Sequence, residues 1–263
     1  MISLRTDQPA FNYSGVGLTF DGNFIRDAPH QAFSTSGSND CRFSNNTVED
    51  IGFETDDSGA WYAGRSWVHR GNVLAGNTFR NIRQLEVINT VGQSSMTSAA
   101  VYFDDELSGN SVIGNTFINC MMGVLLGGGR ENVVTGNRFI DTDTAVHLDS
   151  RGESWQKDWC SPCKACPTCP REHSCLFEIE LAAVNYTVPP WSTHYPTLPS
   201  IMENNSLPCA PVKNRVTDNH ACGRHGGQPF PTTANPLAGQ TDGHGVPASW
   251  NLTLRDNTVG SSC

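Results

Sequence analysis

Short apolar runs repeat along the chain at a fixed spacing, most clearly within residues 111–152. The segment GNTF at 114–117 returns 22 residues later as GNRF at 136–139, and GVLL at 123–126 returns as AVHL at 145–148. The runs are rich in Val, Ile, Leu and Phe and are interrupted by Gly and Asn, which favours strands and tight turns over helices. A repeat in the low twenties is typical of a solenoid. We therefore predict stacked coils about 4.8 Å apart, as in a parallel β-helix.

The same turn-plus-strand pattern extends on both sides of this segment. Each corner has an Asn followed by an apolar position, and the further corners lie at 21–24, 45–48, 76–79, 217–219 and 255–259. Asn suits such corners because it tolerates left-handed backbone angles, and stacked Asn amides can pair with one another. The sequence thus predicts an all-β chain with β-helix coils over 1–152, a Cys/Pro-rich insertion over 153–211, and final rungs with a Gly/Pro-rich loop over 212–263.

Composition and charge narrow the possible partners. The chain has 263 residues, 37% of them hydrophobic, with 25 Gly, which fits a thin core one coil wide. Its formal net charge is −9, from 17 Lys and Arg against 26 Asp and Glu. That balance argues against nucleic acid as a partner of the whole surface, and no apolar run reaches the roughly 20 residues of a membrane span.

Glycosylation sequons and cysteines point to an extracellular or secreted setting. The chain has ten cysteines and begins in mid-repeat without a recognisable leader, so we expect a fragment whose signal peptide is missing. The five sequons begin at Asn12, Asn45, Asn185, Asn204 and Asn251.

Aligning four strands by their repeats separates an inner face from an outer face, because strand side chains alternate. The columns predicted to point into the coil contain Trp61, Val101, Val124 and Val146, and Ala63, Phe103, Leu126 and Leu148. The columns predicted to point outward contain Tyr62, Tyr102, Leu125 and His147, and Gly64, Asp104, Gly127 and Asp149.

Two outward aspartates are the candidate catalytic groups. Asp104 and Asp149 lie two rungs apart in one column, with backbones about 9.6 Å from each other, and Gly127 between them leaves a notch for a ligand. Two carboxylates at this separation suit inverting glycoside hydrolysis, in which one acid protonates the leaving oxygen and the other activates water. Asp105 is a third candidate, because two adjacent carboxylates raise one of their pKa values.

Aromatic, basic and acidic residues around this column predict binding of a polysaccharide or oligosaccharide. The tyrosines and the histidine offer flat, hydrogen-bonding surface, and the arginines could bind the carboxylates of acidic sugars. The candidate substrate-binding residues are Asp57, Tyr62, Arg65, Tyr102, Arg130, His147 and Arg151.

Several phrases of the chain resemble the right-handed parallel β-helix proteins of the pectin-lyase-like superfamily, and more narrowly large bacterial β-helix repeat proteins. These phrases are DAPH at 27–30, ETDDSGAWYAGRSW at 54–67, AVYFDDELSG at 100–109, GVLLGGGRENVV at 123–134 and AVHLDSRG at 145–152. The resemblance implies a right-handed, single-stranded β-helix in a carbohydrate-active and mostly secreted group. Polygalacturonases carry a similar paired Asp, but their Gly-His-Gly has a counterpart only at 243–245, far downstream.

Two alternatives to a cofactor-free glycoside hydrolase stay open. A polysaccharide lyase of the pectate-lyase type would need Ca²⁺, for which Asp56, Asp57 and Asp104 are the acidic candidates, and a base such as Arg65 or His147. A non-catalytic glycan-binding or structural solenoid is the third hypothesis.

The cysteines of the insertion allow a metal hypothesis and a disulfide hypothesis. Cys160, Cys163, Cys166 and Cys169 follow one another at CxxC spacing, which is compatible with Zn²⁺ although zinc sites usually separate two such pairs by a longer gap. In an extracellular chain we favour disulfides that involve Cys175, Cys209, Cys222 and Cys263. Cys41 and Cys120 are expected to be small buried groups in the coils.

Overall fold

Three parallel sheets wind along one axis in the structure, a computed structural model that describes residues 9–55, 57–84, 98–160, 175–203, 205–224, 229–231 and 247–263. Consecutive strands fall in different sheets and equivalent strands of successive coils pair side by side, which is the arrangement of a parallel β-helix. The first sheet, in spatial order, contains β1 (Pro9–Val16), β4 (Gln31–Asn39), β7 (Ser58–Ala63), β10 (Ser98–Phe103), β13 (Met122–Gly127) and β16 (Thr144–Asp149).

The other two sheets have seven short strands each. The second contains β2 (Thr19–Asp21), β5 (Arg42–Ser44), β8 (Val73–Ala75), β11 (Ser111–Ile113), β14 (Val133–Thr135), β17 (Arg215–Thr217) and β19 (Thr253–Arg255). The third contains β3 (Phe24–Ala28), β6 (Thr47–Ile51), β9 (Thr78–Ile82), β12 (Thr116–Ile118), β15 (Arg138–Ile140), β18 (His220–Cys222) and β20 (Thr258–Gly260).

Asparagine side chains stack at the corner between the second and third sheets, as the repeated Asn positions predict. Asn115 shows the pattern: its Nδ2 donates to Asn137 Oδ1 at 3.1 Å, and its Oδ1 accepts from the Nδ2 of Asn77 at 2.9 Å. Such a ladder satisfies buried polar groups at every coil and fixes the register of the stack. Its members in order are Asn23, Asn46, Asn77, Asn115, Asn137, Asn219 and Asn257.

Apolar columns fill the interior of the coils. Phe79, Phe117 and Phe139 stack on one another with ring centroids 5.2 and 4.7 Å apart, and Trp61 packs against Phe103 on the first sheet. All the residues predicted to point inward belong to this core, so the predicted inner face is confirmed.

Residues between β16 and β17 form a small apolar cluster outside the coils. Its elements are a 3-10 turn (Arg151–Glu153), α1 (Leu176–Ala183), α2 (Trp191–His194) and a second 3-10 turn (Leu198–Ser200). Phe177 of α1 stacks on Trp67 of the coil with ring centroids 4.7 Å apart. Another 3-10 turn (Ala248–Trp250) precedes β19. Among the described residues, no helix is both long and apolar enough to cross a membrane.

The cysteines follow the predictions only in part. Cys222 is disulfide-bonded to Cys263, and Cys175 is also disulfide-bonded. Cys41 and Cys120 are free and buried, as expected. The expectation of a disulfide at Cys209 is wrong, because Cys209 is a free thiol.

Candidate functional site

The first sheet has the register that the aligned repeats predict. Tyr102 pairs with Tyr62 on one side and Leu125 on the other, and Leu125 pairs with His147. Asp149 pairs with Gly127, and Asp104 follows directly after β10. Both candidate aspartates therefore lie at the same edge of the sheet, outside the apolar core.

Arg151 binds all three candidate catalytic carboxylates. Its Nη1 donates to Asp104 Oδ1 at 2.5 Å and to Asp105 Oδ1 at 3.1 Å. Its Nε and Nη2 donate to the two oxygens of Asp149 at 3.0 and 2.7 Å. Asp104, Asp105, Asp149 and Arg151 are only 4–8% exposed, so a single guanidinium is the centre of a buried acidic cluster.

A 3-10 turn (Arg151–Glu153) follows β16, and the side chain of its first residue fills the predicted notch. A Cβ on Gly127 would lie 2.6 Å from Arg151 Cζ, so the space left by the glycine holds the guanidinium. Trp155 covers Arg151 from outside at 5.3 Å, and Gln156 donates to Asp105. The expectation that the notch is open to a ligand is therefore wrong, because a side chain of the same chain occupies it.

The two candidate tyrosines use their hydroxyl groups within the protein. Tyr62 donates to Asp104 Oδ2 at 2.7 Å, and Tyr102 donates to Asp57 Oδ1 at 2.8 Å. The two rings meet edge to face with centroids 5.4 Å apart. Asp57 thus lies beside the cluster, and its role in substrate binding stays a prediction, whereas Asp56 falls outside the described residues.

Arg65 and His147 lie at the margin of the cluster. Arg65 donates to Asp105 Oδ2 at 3.0 Å while its side chain stays 60% exposed. His147 Nε2 is 3.4 Å from Asp149 Oδ2. Of the candidate substrate-binding groups at this edge, Arg65 and Asp57 are exposed, whereas His147 is mostly buried.

Arg130 is buried and bonds to the segment that precedes β17. It is 2% exposed and its Nη1 donates to the backbone carbonyls of Ser206 and Leu207 at 3.0 and 3.4 Å. The binding of a sugar carboxylate by Arg130 stays a prediction, which these bonds to the segment before β17 do not favour. Arg151 likewise contacts protein carboxylates in place of a ligand.

The environment separates the pKa values of the two candidate catalytic acids. Burial and repulsion from Asp105 raise the pKa of Asp104 to about 6, although Arg151 opposes the shift. Burial alone would raise the pKa of Asp149, but hydrogen bonds from His147 and Arg151 outweigh it and lower that pKa to about 2. The pair would therefore hold one transferable proton between about pH 2 and pH 6.

Glu106 is a further buried acid that the sequence analysis did not single out. It is fully buried between Gly128 and Gly152, where a Cβ on either glycine would overlap its Oε1. The backbone N–H of Gly152 is near the carboxyl without the geometry of a hydrogen bond. Burial, with repulsion from Asp149, raises the pKa of Glu106 well above its ordinary value. Its position directly after Asp104-Asp105 is the one signal in the sequence.

Metal-binding geometry is not found where the structure describes the chain. In those ranges, no three or more His, Cys, Asp or Glu side chains are grouped to hold a metal ion. Of the four cysteines at CxxC spacing, Cys160 is a free buried thiol, and the other three lie outside the described residues. The predicted Zn²⁺ and Ca²⁺ sites therefore stay predictions.

Comparison with known proteins identifies the family of the coils. A family described as "NosD: Periplasmic copper-binding protein (NosD)" matches residues 5–162, which is more than half of the 263 residues. The chain belongs to the NosD family. NosD proteins form right-handed parallel β-helices within the pectin-lyase-like superfamily, which confirms the predicted fold and superfamily. Comparisons with curated proteins and with solved structures gave no significant match.

Proposed function

We propose that this chain is a non-catalytic, extracytoplasmic β-helix that binds glycans. The observation that carries the proposal is the contact of Arg151 with Asp104, Asp105 and Asp149, which engages the predicted catalytic carboxylates in a buried internal cluster. A hydrolase needs two carboxyl groups that face a glycosidic bond and an attacking water. Here those groups face a guanidinium covered by Trp155.

Periplasmic location is part of the proposal and comes from the NosD description. The disulfide between Cys222 and Cys263 supports it, because disulfides persist in oxidising compartments. Glycan binding follows the resemblance of the coil phrases to carbohydrate-active β-helices, and the many outward side chains of stacked coils offer a long binding surface.

Copper binding, which the family description names, does not fit the described residues. Copper prefers imidazole, thiolate and thioether ligands. At the acidic cluster His147 is the single imidazole in salt-bridge distance, and the carboxylates already bind Arg151. Burial raises the pKa of the Cys120 thiol to about 12, which disfavours the thiolate that would bind a metal. We therefore assign no step to copper.

A glycoside hydrolase is the second candidate, and one observation favours it. The pKa of Asp104 is raised to about 6 and that of Asp149 is lowered to about 2, which is the separation that an acid and a base need. For this function the segment that carries Arg151 and Trp155 would have to leave the cluster before a sugar could enter.

The test measures binding and turnover on the same substrates with the full chain. Plant and algal polysaccharides are screened by affinity electrophoresis for retention, and by assays of reducing ends and ultraviolet-absorbing unsaturated sugars for cleavage. We expect retention without either product. Reducing ends released by the natural chain and by Asp256→Asn, but lost by orders of magnitude in Asp104→Asn and Asp149→Asn, would establish the hydrolase. Unsaturated products would establish the lyase.

A further inference from the structure

A cavity of about 320 Å³ lies where the segment after α1 meets the first coils, away from the Arg151 cluster. This volume is at the low end of the roughly 300–1,000 Å³ of small-molecule sites. Its lining residues come from the ends of β1 and β4 and from α2 and its flanks: Val16, Asn39, Asp40, Pro190, Trp191, His194 and Tyr195.

Asp40 connects the coil to α2 through polar contacts and forms the polar edge of the cavity. Tyr195 donates its hydroxyl to Asp40 Oδ2 at 3.0 Å, and His194 Nε2 lies 3.0 Å from the same oxygen. Asn39 Nδ2 contacts the Tyr195 hydroxyl at 3.3 Å. Burial raises the pKa of Tyr195, so this hydroxyl stays a neutral donor. The two sides of the cavity are therefore held in a fixed relation before any ligand binds.

Another part of the lining is apolar and reaches solvent. Val16 is 71% exposed although it ends a strand of the first sheet. Trp191 stands near Tyr195 with centroids 5.4 Å apart and planes at 42°, so the two rings form a corner. Such a wall, set against a polar edge, matches a ligand with one apolar face and hydrogen-bonding groups around its rim.

We propose that this cavity binds one pyranose ring of a neutral glycan, stacked on Trp191, with its hydroxyls toward Asp40 and His194. A pyranose has a face of C–H groups and a rim of hydroxyls, so its two surfaces correspond to the two sides of the cavity. The inference rests on the proposed glycan-binding function and gives that function a site. It is independent of the Arg151 cluster.

The geometry favours a neutral sugar over an organic cation. A quaternary ammonium group is bound by several aromatic faces around one point. Here the Tyr195 ring meets His194 edge to face at 4.6 Å, and the Asp40 carboxylate already accepts from Tyr195. A cation would thus find one main aromatic face, whereas the carboxylate of Asp40 keeps lone pairs that can accept from sugar hydroxyls.

Calorimetric titration of the full chain tests the site. The probes are cellohexaose, laminarihexaose, mannohexaose and xylohexaose, with tetramethylammonium chloride as the cation. The variants are Trp191→Ala, Trp191→Phe and Asp40→Asn, and circular dichroism checks that each is folded. Phe24→Ala is the matched control because Phe24 is an aromatic residue 59% exposed on β3, outside the cavity.

We expect at least one hexaose to bind, with a dissociation constant raised by about tenfold or more in Trp191→Ala, less in Trp191→Phe, and unchanged in Phe24→Ala. Asp40→Asn should weaken binding several-fold. Binding that Trp191→Ala leaves intact would overturn this site while the glycan-binding function stands. Binding of no hexaose and no polysaccharide would reject both, and saturable binding of tetramethylammonium alone would identify a cation site.

Discussion

Arg151 forms a bidentate ion pair with Asp149, the residue two positions before it, with Nε 3.0 Å from Oδ1 and Nη2 2.7 Å from Oδ2. Its backbone N–H also donates to Asp149 Oδ1 at 3.1 Å. This local clamp sets the direction of the chain after β16 and aims the remaining Nη1 at Asp104 and Asp105. One short turn thereby links a strand end to a carboxylate pair on another coil.

Removal of this guanidinium should destabilise the fold strongly. Arg151→Met keeps much of the side-chain volume but removes the arginine from Asp104 and Asp149 and leaves Asp105 with Arg65 alone, which costs about 3–5 kcal/mol in the free energy of unfolding. Urea unfolding followed by circular dichroism measures the loss. Arg151→Lys should recover part of it, because an ammonium supplies charge without the planar fork.

A surface arginine provides the control for that measurement. Arg255 pairs with Asp256 at 3.4 Å, and both side chains are about 60% exposed. Arg255→Met should change the free energy of unfolding by less than about 0.5 kcal/mol. Equal losses in the two variants would show that the Arg151 cluster adds nothing specific to stability.

Stability should fall as pH rises through the titration of Asp104. Its pKa is raised from 3.8 to about 6 in the folded protein, so the folded state binds this proton more tightly than the unfolded state. The contribution is complete below about pH 4 and is lost by about pH 6, which amounts to about 3 kcal/mol. Denaturant titrations at several pH values measure this decrease in the free energy of unfolding. Asp104→Asn should remove the part of the pH dependence that comes from Asp104.

Asp149 should produce the opposite dependence at lower pH. Its pKa is lowered to about 2, so its contribution is present above pH 3.8 and is lost as the pH falls through about 2. With both groups acting, unfolding should need most denaturant near pH 4. A monotonic rise in stability from about pH 4 to pH 7 in the natural chain, unchanged in Asp104→Asn, would contradict the assignment.

The coils could be predicted from the sequence because their determinants are local and repeated. Apolar alternation places Val124 and Val146 inside, and the 22-residue offset pairs Leu125 with His147, as the structure has them. The Asn ladder follows from the same repeat, since equivalent corners stack. These features needed no knowledge of how distant segments meet.

The environment of the aspartates could not be predicted in the same way. Strand alternation places Asp104 and Asp149 outside the coil, but it does not show what covers them. The contacts of Arg151 and Gln156 with the aspartates depend on the path of one 3-10 turn and of a segment without repeats. The glycine column alone therefore predicts an open notch, whereas in the structure Gly127 makes room for Arg151.

Asn115 should be indispensable to the ladder. Its Oδ1 accepts from the backbone N–H and the Nδ2 of Asn77, both at 2.9 Å, and its Nδ2 donates to the carbonyl of Leu74 at 2.9 Å. Asn115→Ala leaves these buried groups without partners and should lower the free energy of unfolding by about 3 kcal/mol or more. Asn115→Asp should cost at least as much, because a carboxylate would face the Leu74 carbonyl.

Asn12 is the matched control for the ladder, because it is exposed on β1. Asn12→Ala should stay within about 0.5 kcal/mol of the natural chain in the same urea titration. If Asn115→Ala changed the free energy of unfolding as little as Asn12→Ala, the stacked amides would not hold the register of the coils.

The disulfide between Cys222 and Cys263 should stabilise the last rungs by linking β18 to the segment after β20 across a sequence separation of 41 residues. Breaking such a link typically costs about 2–4 kcal/mol, because the unfolded chain regains the entropy that the closed loop had removed.

Cys263 is exposed, so Cys263→Ala removes the bond with little loss of packing and should show this cost in thermal or urea unfolding. Cys222→Ala, at a buried position, should lose the same amount plus a packing contribution. The double variant should match Cys222→Ala alone, since the bond can be broken only once. Additive losses from the two single variants would show that the two thiols are not bonded to each other.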